Sequence, residues 1–307
     1  MCIRDSYNMV DSIFIGHGVG PLAISGLALT FPLMNLAAAF GSLVGVGAAT
    51  LVSMRLGQRD YGTAQNILGN VVVLNLIIGL AFGITTLLLL DPILYFFGAS
   101  EATIGYARDY MSIILMGNVI THMYLGLNSV LRASGHPRKS MYATIYTVVI
   151  NAALDPLFIY GFGWGIRGAA IATVLSNLLS VAYYVRYFLR KSACLSVSPR
   201  LLSPDGYICK SILLIGVPAF INNILITVAQ ILLNNHAAAY GDDVVAALGI
   251  VSRTTSLPVL LLIGLAQGVQ PLIAYNYAAG NRKRLTGTMK LTALSGTALA
   301  LLLAVLL

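Results

Sequence analysis

Three ionisable residues lie well inside long apolar runs: Asp11, Asp155 and Arg253. A charged side chain in hydrocarbon costs at least ~2.5 kcal/mol, so each is a candidate functional group. Asp155 stands in Asn151-Ala-Ala-Leu-Asp155-Pro156, within an apolar stretch running from Met141 to Gly161. Asn151 precedes it by four residues, so on a helix both side chains share one face. Pro156 has no N–H to offer the carbonyl of Ala152, which leaves a free acceptor within a turn of Asp155 and permits a kink there. Oxygen donors of this kind suit a proton or a hard cation such as Na⁺: burial and a second carboxylate both favour a shared proton, and ionised carboxylates can ligate a metal ion.

The elements that hold these groups are membrane helices. Hydrophobic residues make up 58% of the 307 and charged residues 9%, against ~25% charge in an average soluble domain. The runs are about 20 residues or longer and lack the alternation of barrel strands, which gives an all-α polytopic membrane protein. The excess of 18 Lys and Arg over 10 Asp and Glu reflects the positive-inside rule and not a nucleic-acid partner. Cys2, Cys194 and Cys209 have no metal-binding spacing, and neither a disulfide nor a structural metal is expected.

Loop residues divide the chain into spans at about 7–16, 22–54, 63–90, 102–131, 141–161, 168–188, 211–239, 244–277 and 285 onward. Residues 1–6 are set aside as a leader that could be foreign to the fold. Residues 7–189 then form an N-terminal lobe whose first helix is incomplete, 190–210 a cytoplasmic linker, and 211–307 a partial C-terminal lobe. Arg55, Arg59, Arg132, Arg138, Lys139 and Arg282 to Arg284 fall on one side, which is cytoplasmic; Asp91, Glu101, Asp109, Asp242 and Asp243 fall on the other, with Arg108 and Arg167 as exceptions. At an offset of 223 residues Gly18, Gly26, Gly41, Gly45 and Gly57 meet Gly241, Gly249, Gly264, Gly268 and Gly280. An even step of six spans implies a parallel repeat, hence two like lobes of six helices, of which about nine helices are present. The paired Gly-x-x-x-Gly motifs would allow close helix approach.

Depth follows from the turns. Asp11 is five residues before Gly16 and Asp155 six before Gly161, or ~7 and ~9 Å at 1.5 Å per residue. Thr173, six residues after Arg167 on a descending helix, returns to that level. Two carboxylates, an amide and a hydroxyl thus share one depth, with azimuth undetermined. A bland role stays open for each: a buried Asp can cap a helix break, Asp11 lies near a helix end, and Arg253 reads first as structural, then as a cavity residue. His17, His122, His136 and His236 show no ligand spacing, and Asn75 reads as a packing polar. With no nucleophile or phosphate-loop motif, the chain reads as a non-enzyme.

Tyr7-Asn-Met-Val-Asp11, Phe14-Ile-Gly16, Gly57-Gln-Arg-Asp60, Leu131-Arg-Ala-Ser-Gly-His-Pro137, Asn151-Ala-Ala-Leu-Asp-Pro156, Gly165-Ile-Arg-Gly-Ala-Ala-Ile-Ala-Thr173 and Gln267-Gly-Val-Gln-Pro271 together resemble the multidrug and toxic compound extrusion (MATE) transporters, closest to the prokaryotic branch. The resemblance implies a twelve-helix, monomeric antiporter of the inner membrane, with no cofactor beyond a coupling ion. Such a protein exports lipophilic, often cationic drugs or metabolites against an inward flow of H⁺ or Na⁺. A lipid-precursor flippase of the same superfold is the alternative. Carried over by motif, the cation site would be Asp11, Asn151, Asp155 and Thr173, with Tyr7 as a weaker addition.

Overall fold

The computed structural model describes residues 11–306 except 13, 190–194, 196–203, 239 and 241. Apart from turns these residues are helical: α1 (11–18), α2 (Pro21–Gly57), α3 (Tyr61–Leu88), α4 (Leu90–Phe96), α5 (Ile104–Met116), α6 (Asn118–Ala133), α7 (Pro137–Pro156), α8 (Gly165–Leu189), α9 (Gly206–Ala238), α10 (Asp242–Ala278) and α11 (Arg282–Leu306). Seven are long and apolar enough to cross a membrane; α5 and α6, bent by 55° at Gly117, make an eighth crossing as a pair. The domain boundaries and leader expected at 1–6 and 190–210 fall largely outside the described residues.

Local chemistry explains where the boundaries depart from the sequence reading. The loop expected around Arg132 to Lys139 shrinks to three residues, because Pro137 opens α7 at a position where its missing N–H costs nothing. Helix α9 begins at Gly206, inside the expected linker, because the Asp205 carboxylate accepts the N–H groups of Tyr207 (2.8 Å) and Ile208 (3.3 Å). The expected loop after Leu90 contains the short helix α4. Gly20, at φ 113°, makes the hairpin from α1 into α2, whose first residue is again a proline.

The internal repeat survives with a corrected register. Helices α2 and α10 are both 37 residues long and start and end 221 residues apart. Each is followed by a three-residue turn with one left-handed residue, Arg59 (φ 61°) or Gly280 (φ 69°). The next helix is capped alike: Asp60 accepts from the Thr63 N–H at 3.0 Å and Asn281 from the Arg284 N–H at 3.1 Å. Bonds from the Thr63 hydroxyl and N–H hold the Asp60 carboxyl below the usual carboxylate range. The glycines that coincide at 223 are therefore not equivalent. Gly41 and Gly45 press on Leu125 and Ser129 of α6, the close helix approach expected of that motif.

Helix α2 is the central column, packed against α3, α5, α6, α9 and α10. Its closest approach is to α9, where Gly47 lies on the Ile212 carbonyl and Gly216 of α9 lies on the Leu43 carbonyl. Two apolar layers fill the rest. One, around Leu27, Leu94, Tyr110 and Ile166, lies toward the end where α4 and α5 meet; the other, around Val52, Ile67, Leu131 and Tyr184, lies toward the end where α6 passes into α7. The two basic exceptions on the acidic side are both neutralised: Arg108 forks onto Asp91 at 2.6 and 2.8 Å, and Arg167 meets Asp109 at 2.7 Å.

That pairing leaves these loops without net positive charge, in keeping with the orientation expected from the loop charges. In a background with the native cysteines replaced, Ala102→Cys should react with a membrane-impermeant maleimide in intact cells. Arg138→Cys should react only after permeabilisation, and the reverse pattern would invert the topology.

Candidate cation site

Helix α7 buries one stripe: Ser140, Ala143, Thr147, Asn151 and Asp155. From Ala143 onward the spacing is four residues, which keeps the stripe on one face, and that face packs on α8. There α8 presents Thr173, Ser176, Asn177 and Ser180, all buried. Toward the outer end the π-helical turn Leu157–Gly161 follows α7 directly. The Phe162 N–H reaches back five residues to the Leu157 carbonyl at 3.0 Å. Pro156, expected as a kink, thus stands where α-helix passes into a wider turn without breaking the span. Gly168 of α8 lies against the backbone of Phe158, at a distance that leaves no room for a Cβ.

This packing brings four of the sequence-selected residues into one hydrogen-bonded chain. The Asn151 amide donates to Asp155 Oδ1 at 3.2 Å and to Thr173 Oγ1 at 3.4 Å, and the Thr173 hydroxyl donates to Asp11 Oδ2 at 3.3 Å. Asp11 is 1% exposed, Asp155 and Asn151 0%. Asp11 Oδ1, Asp155 Oδ2 and Asn151 Oδ1 have no partner among the described residues. Three buried acceptors without a donor are a concentrated demand for a proton or a cation. Two carboxylates, an amide oxygen and a hydroxyl are hard oxygen donors, so the set fits Na⁺ as well as H⁺.

Tyr7 lies outside the described residues, and Arg253 falls on α10 with its side chain outside them. Two polar groups given no role are more demanding than expected. His122 is wholly buried against Phe82, and Asn75, also wholly buried, packs on Gly126 one turn along α6 from His122. A hydropathy pattern carries no signal for either, since each helix holds several polar residues and the pattern does not say which are buried.

The MatE family model matches residues 1–157 and 218–307. This chain belongs to the MatE family. Among curated relatives, the multidrug export protein MepA of Staphylococcus haemolyticus (strain JCSC1435) is 34% identical over 94% of this chain and 64% of its own length. The chain therefore spans just under two thirds of the curated relatives it matches. A solved outward-facing multidrug resistance MATE family transporter of the MOP superfamily has a TM-score of 0.89 at 28% identity, covering 95% of this chain and 65% of that one. A MATE structure in the bent conformation gives 0.88 at 28% identity, over 94% and 65%. With its apolar helices, the family membership makes this a multi-pass protein of the cytoplasmic membrane.

Gly168 offers a test that changes no charge. Gly168→Val pushes α8 off the π-helical turn, and overpacking of this kind costs roughly 1–3 kcal/mol. The melting temperature in detergent should fall by several degrees, whereas Gly105→Ala on α5, where an added methyl meets nothing within 4 Å, should not lower it.

Proposed function

We propose that this chain carries the cation-coupling part of an exporter that moves small lipophilic, often cationic compounds out of the cell by alternating access. The carrying observation is the linked set Asp11–Thr173–Asn151–Asp155, which joins α1 to α7 and α8 and holds two buried carboxyl groups. The names of the similar proteins support the substrate class: a multidrug export protein and a multidrug resistance transporter.

The coupling follows from charge. Two carboxylates facing each other in a buried site repel when both are ionised, and one H⁺ or Na⁺ between them turns that repulsion into attraction. The state in which α1 lies against α7 and α8 thus binds the cation better than any state in which α1 moves away. A ligand shifts a conformational equilibrium by that difference in affinity. Inward cation movement can then drive a helix rearrangement that opens the substrate cavity to the other side. H⁺ and Na⁺ both suit the oxygen donors.

In cells expressing the complete protein, Asp155→Asn and Asp11→Asn should each cut efflux of a fluorescent lipophilic cation tenfold or more at equal membrane abundance. Unchanged efflux in both would remove the site from the mechanism. Replacing a Na⁺ gradient with a proton gradient of the same size identifies the ion.

A further inference from the structure

Helices α7 and α8 run antiparallel, with Lys139 meeting Tyr187, Thr147 meeting Ser180 and Asn151 meeting Thr173. Each presents a buried stripe to the other, and the position just before a stripe residue lies ~100° round the helix. On two antiparallel helices packed face to face, that turn leads to the same side of the pair. Lys139, Tyr142 and Tyr146 of α7 stand just before Ser140, Ala143 and Thr147; Leu179, Tyr183 and Tyr187 of α8 stand just before Ser180, Tyr184 and Phe188. These residues line one outward-facing furrow between the helices. The contact of Lys139 with Tyr187 confirms the side.

One end of the furrow is cationic. The Lys139 ammonium lies 4.3 Å from the Tyr187 ring centroid and donates to its hydroxyl at 3.2 Å, while His136 meets the same ring edge-on with centroids 5.6 Å apart. A lysine at a membrane surface can reach out to water; this one lies back across the furrow. Among the described residues no carboxylate pairs with it, and the first turn of α7, without a side-chain cap, adds the positive end of a helix beside it. Below the cation come phenols. Tyr142 is three residues deeper than Lys139 and Tyr146 seven, or ~4.5 and ~10 Å, and Tyr183 lies one turn deeper than Tyr187. Tyr142, Tyr146 and Tyr183 are 51, 58 and 36% exposed, and their hydroxyls have no partner among the described residues. A phenol in hydrocarbon needs an acceptor. Exposed Leu179 continues the furrow into the apolar zone.

We propose that this furrow binds an anionic phospholipid of the cytoplasmic leaflet: its phosphate meets Lys139, its ester carbonyls accept from the tyrosine hydroxyls, and an acyl chain runs on past Leu179. The order of groups with depth is that of such a lipid, with the anion first, ester acceptors next and hydrocarbon last. A zwitterionic phosphatidylcholine brings its own cation to a site that already holds one unpaired, so the furrow favours a lipid of net negative charge. Aromatic belts and the positive-inside rule put Tyr and Lys at the interface. Neither places a lysine across one ring with three more tyrosines beneath it on the same side of a helix pair. The furrow lies outside the buried face that carries Asp155 and Thr173, so it is independent of the coupling reading.

For the test, Leu179→Trp is made the one tryptophan of the complete protein, with Trp164→Phe among the replacements, and the protein is reconstituted in phosphatidylcholine vesicles. Quenching of its fluorescence by brominated phosphatidylglycerol and by brominated phosphatidylcholine measures the preference for the anionic lipid at the furrow. That preference should be about fivefold. Lys139→Gln should bring it to about one, whereas Arg138→Gln, which loses the same charge from an exposed residue turned off the furrow, should leave it within about twofold. Lys139→Arg should restore most of it. No preference in the parent reporter would overturn the site. So would equal losses in Lys139→Gln and Arg138→Gln, which would show attraction by surface charge in general. Abolition of the preference by excess inorganic phosphate would also overturn it, since the site would then take free phosphate and not a lipid.

Discussion

The arrangement depends on the Thr173 hydroxyl, because a carboxylate in hydrocarbon needs a donor and α1 brings none of its own to Asp11 among the described hydrogen bonds. Thr173 donates to Asp11 while accepting from Asn151, and so carries the connection from α1 to α7 through α8. Gly168, five residues earlier on α8, lets the π-helical turn beyond Asp155 come close enough for this contact. Among the described residues three acceptor atoms of the polar chain have no donor. Removing both polar partners of a buried bond can be nearly neutral, whereas leaving an acceptor unmet costs about 1–3 kcal/mol. Three such acceptors among the described residues fit a site built to be filled and emptied.

Much of this was legible in the residues. Asn151 and Asp155 share a face because helices repeat every 3.6 residues, and the depth of Asp11, Asp155 and Thr173 followed from counting back to the turns. Azimuth was not legible, since whether α1 turns Asp11 toward α8 depends on how three helices pack, and single-helix periodicity is silent on that. The family resemblance supplied the grouping that spacing alone left open. Asn75, read as a packing polar, does pack on Gly126, but α6 carries Asn118, His122 and Asn128 alike, and only the fold shows His122 wholly buried.

The misread boundaries share one physical cause. Gly, Pro and Asp mark turns in sequence, but Pro137 and Asp205 act here as helix starters, so the expected loops are shorter. The bend at Gly117 within the fourth span went unread, since one glycine among apolar residues is tolerated in a straight helix. The repeat was seen through glycines that happen to coincide at 223, and its true register of 221 is marked by the caps Asp60 and Asn281. Identity of residue type proved a poorer guide than identity of structural task.

The contact between α2 and α9 differs in kind from the rest of the interior. Side-chain ridges normally seat in the grooves of a neighbour and fix the crossing angle. Where Gly47 lies on the Ile212 carbonyl and Gly216 on the Leu43 carbonyl, both surfaces are bare backbone. Such a contact is strong against separation, because dispersion grows steeply with closeness. Side chains lock it at one end, where Phe40 meets Phe220 with ring centroids 4.9 Å apart and the Asn223 amide donates to Ser42 at 3.1 Å. The spacing of α2 and α9 is therefore set by backbone, and bulk added at either glycine would force the two helices apart before it acted on anything the site binds.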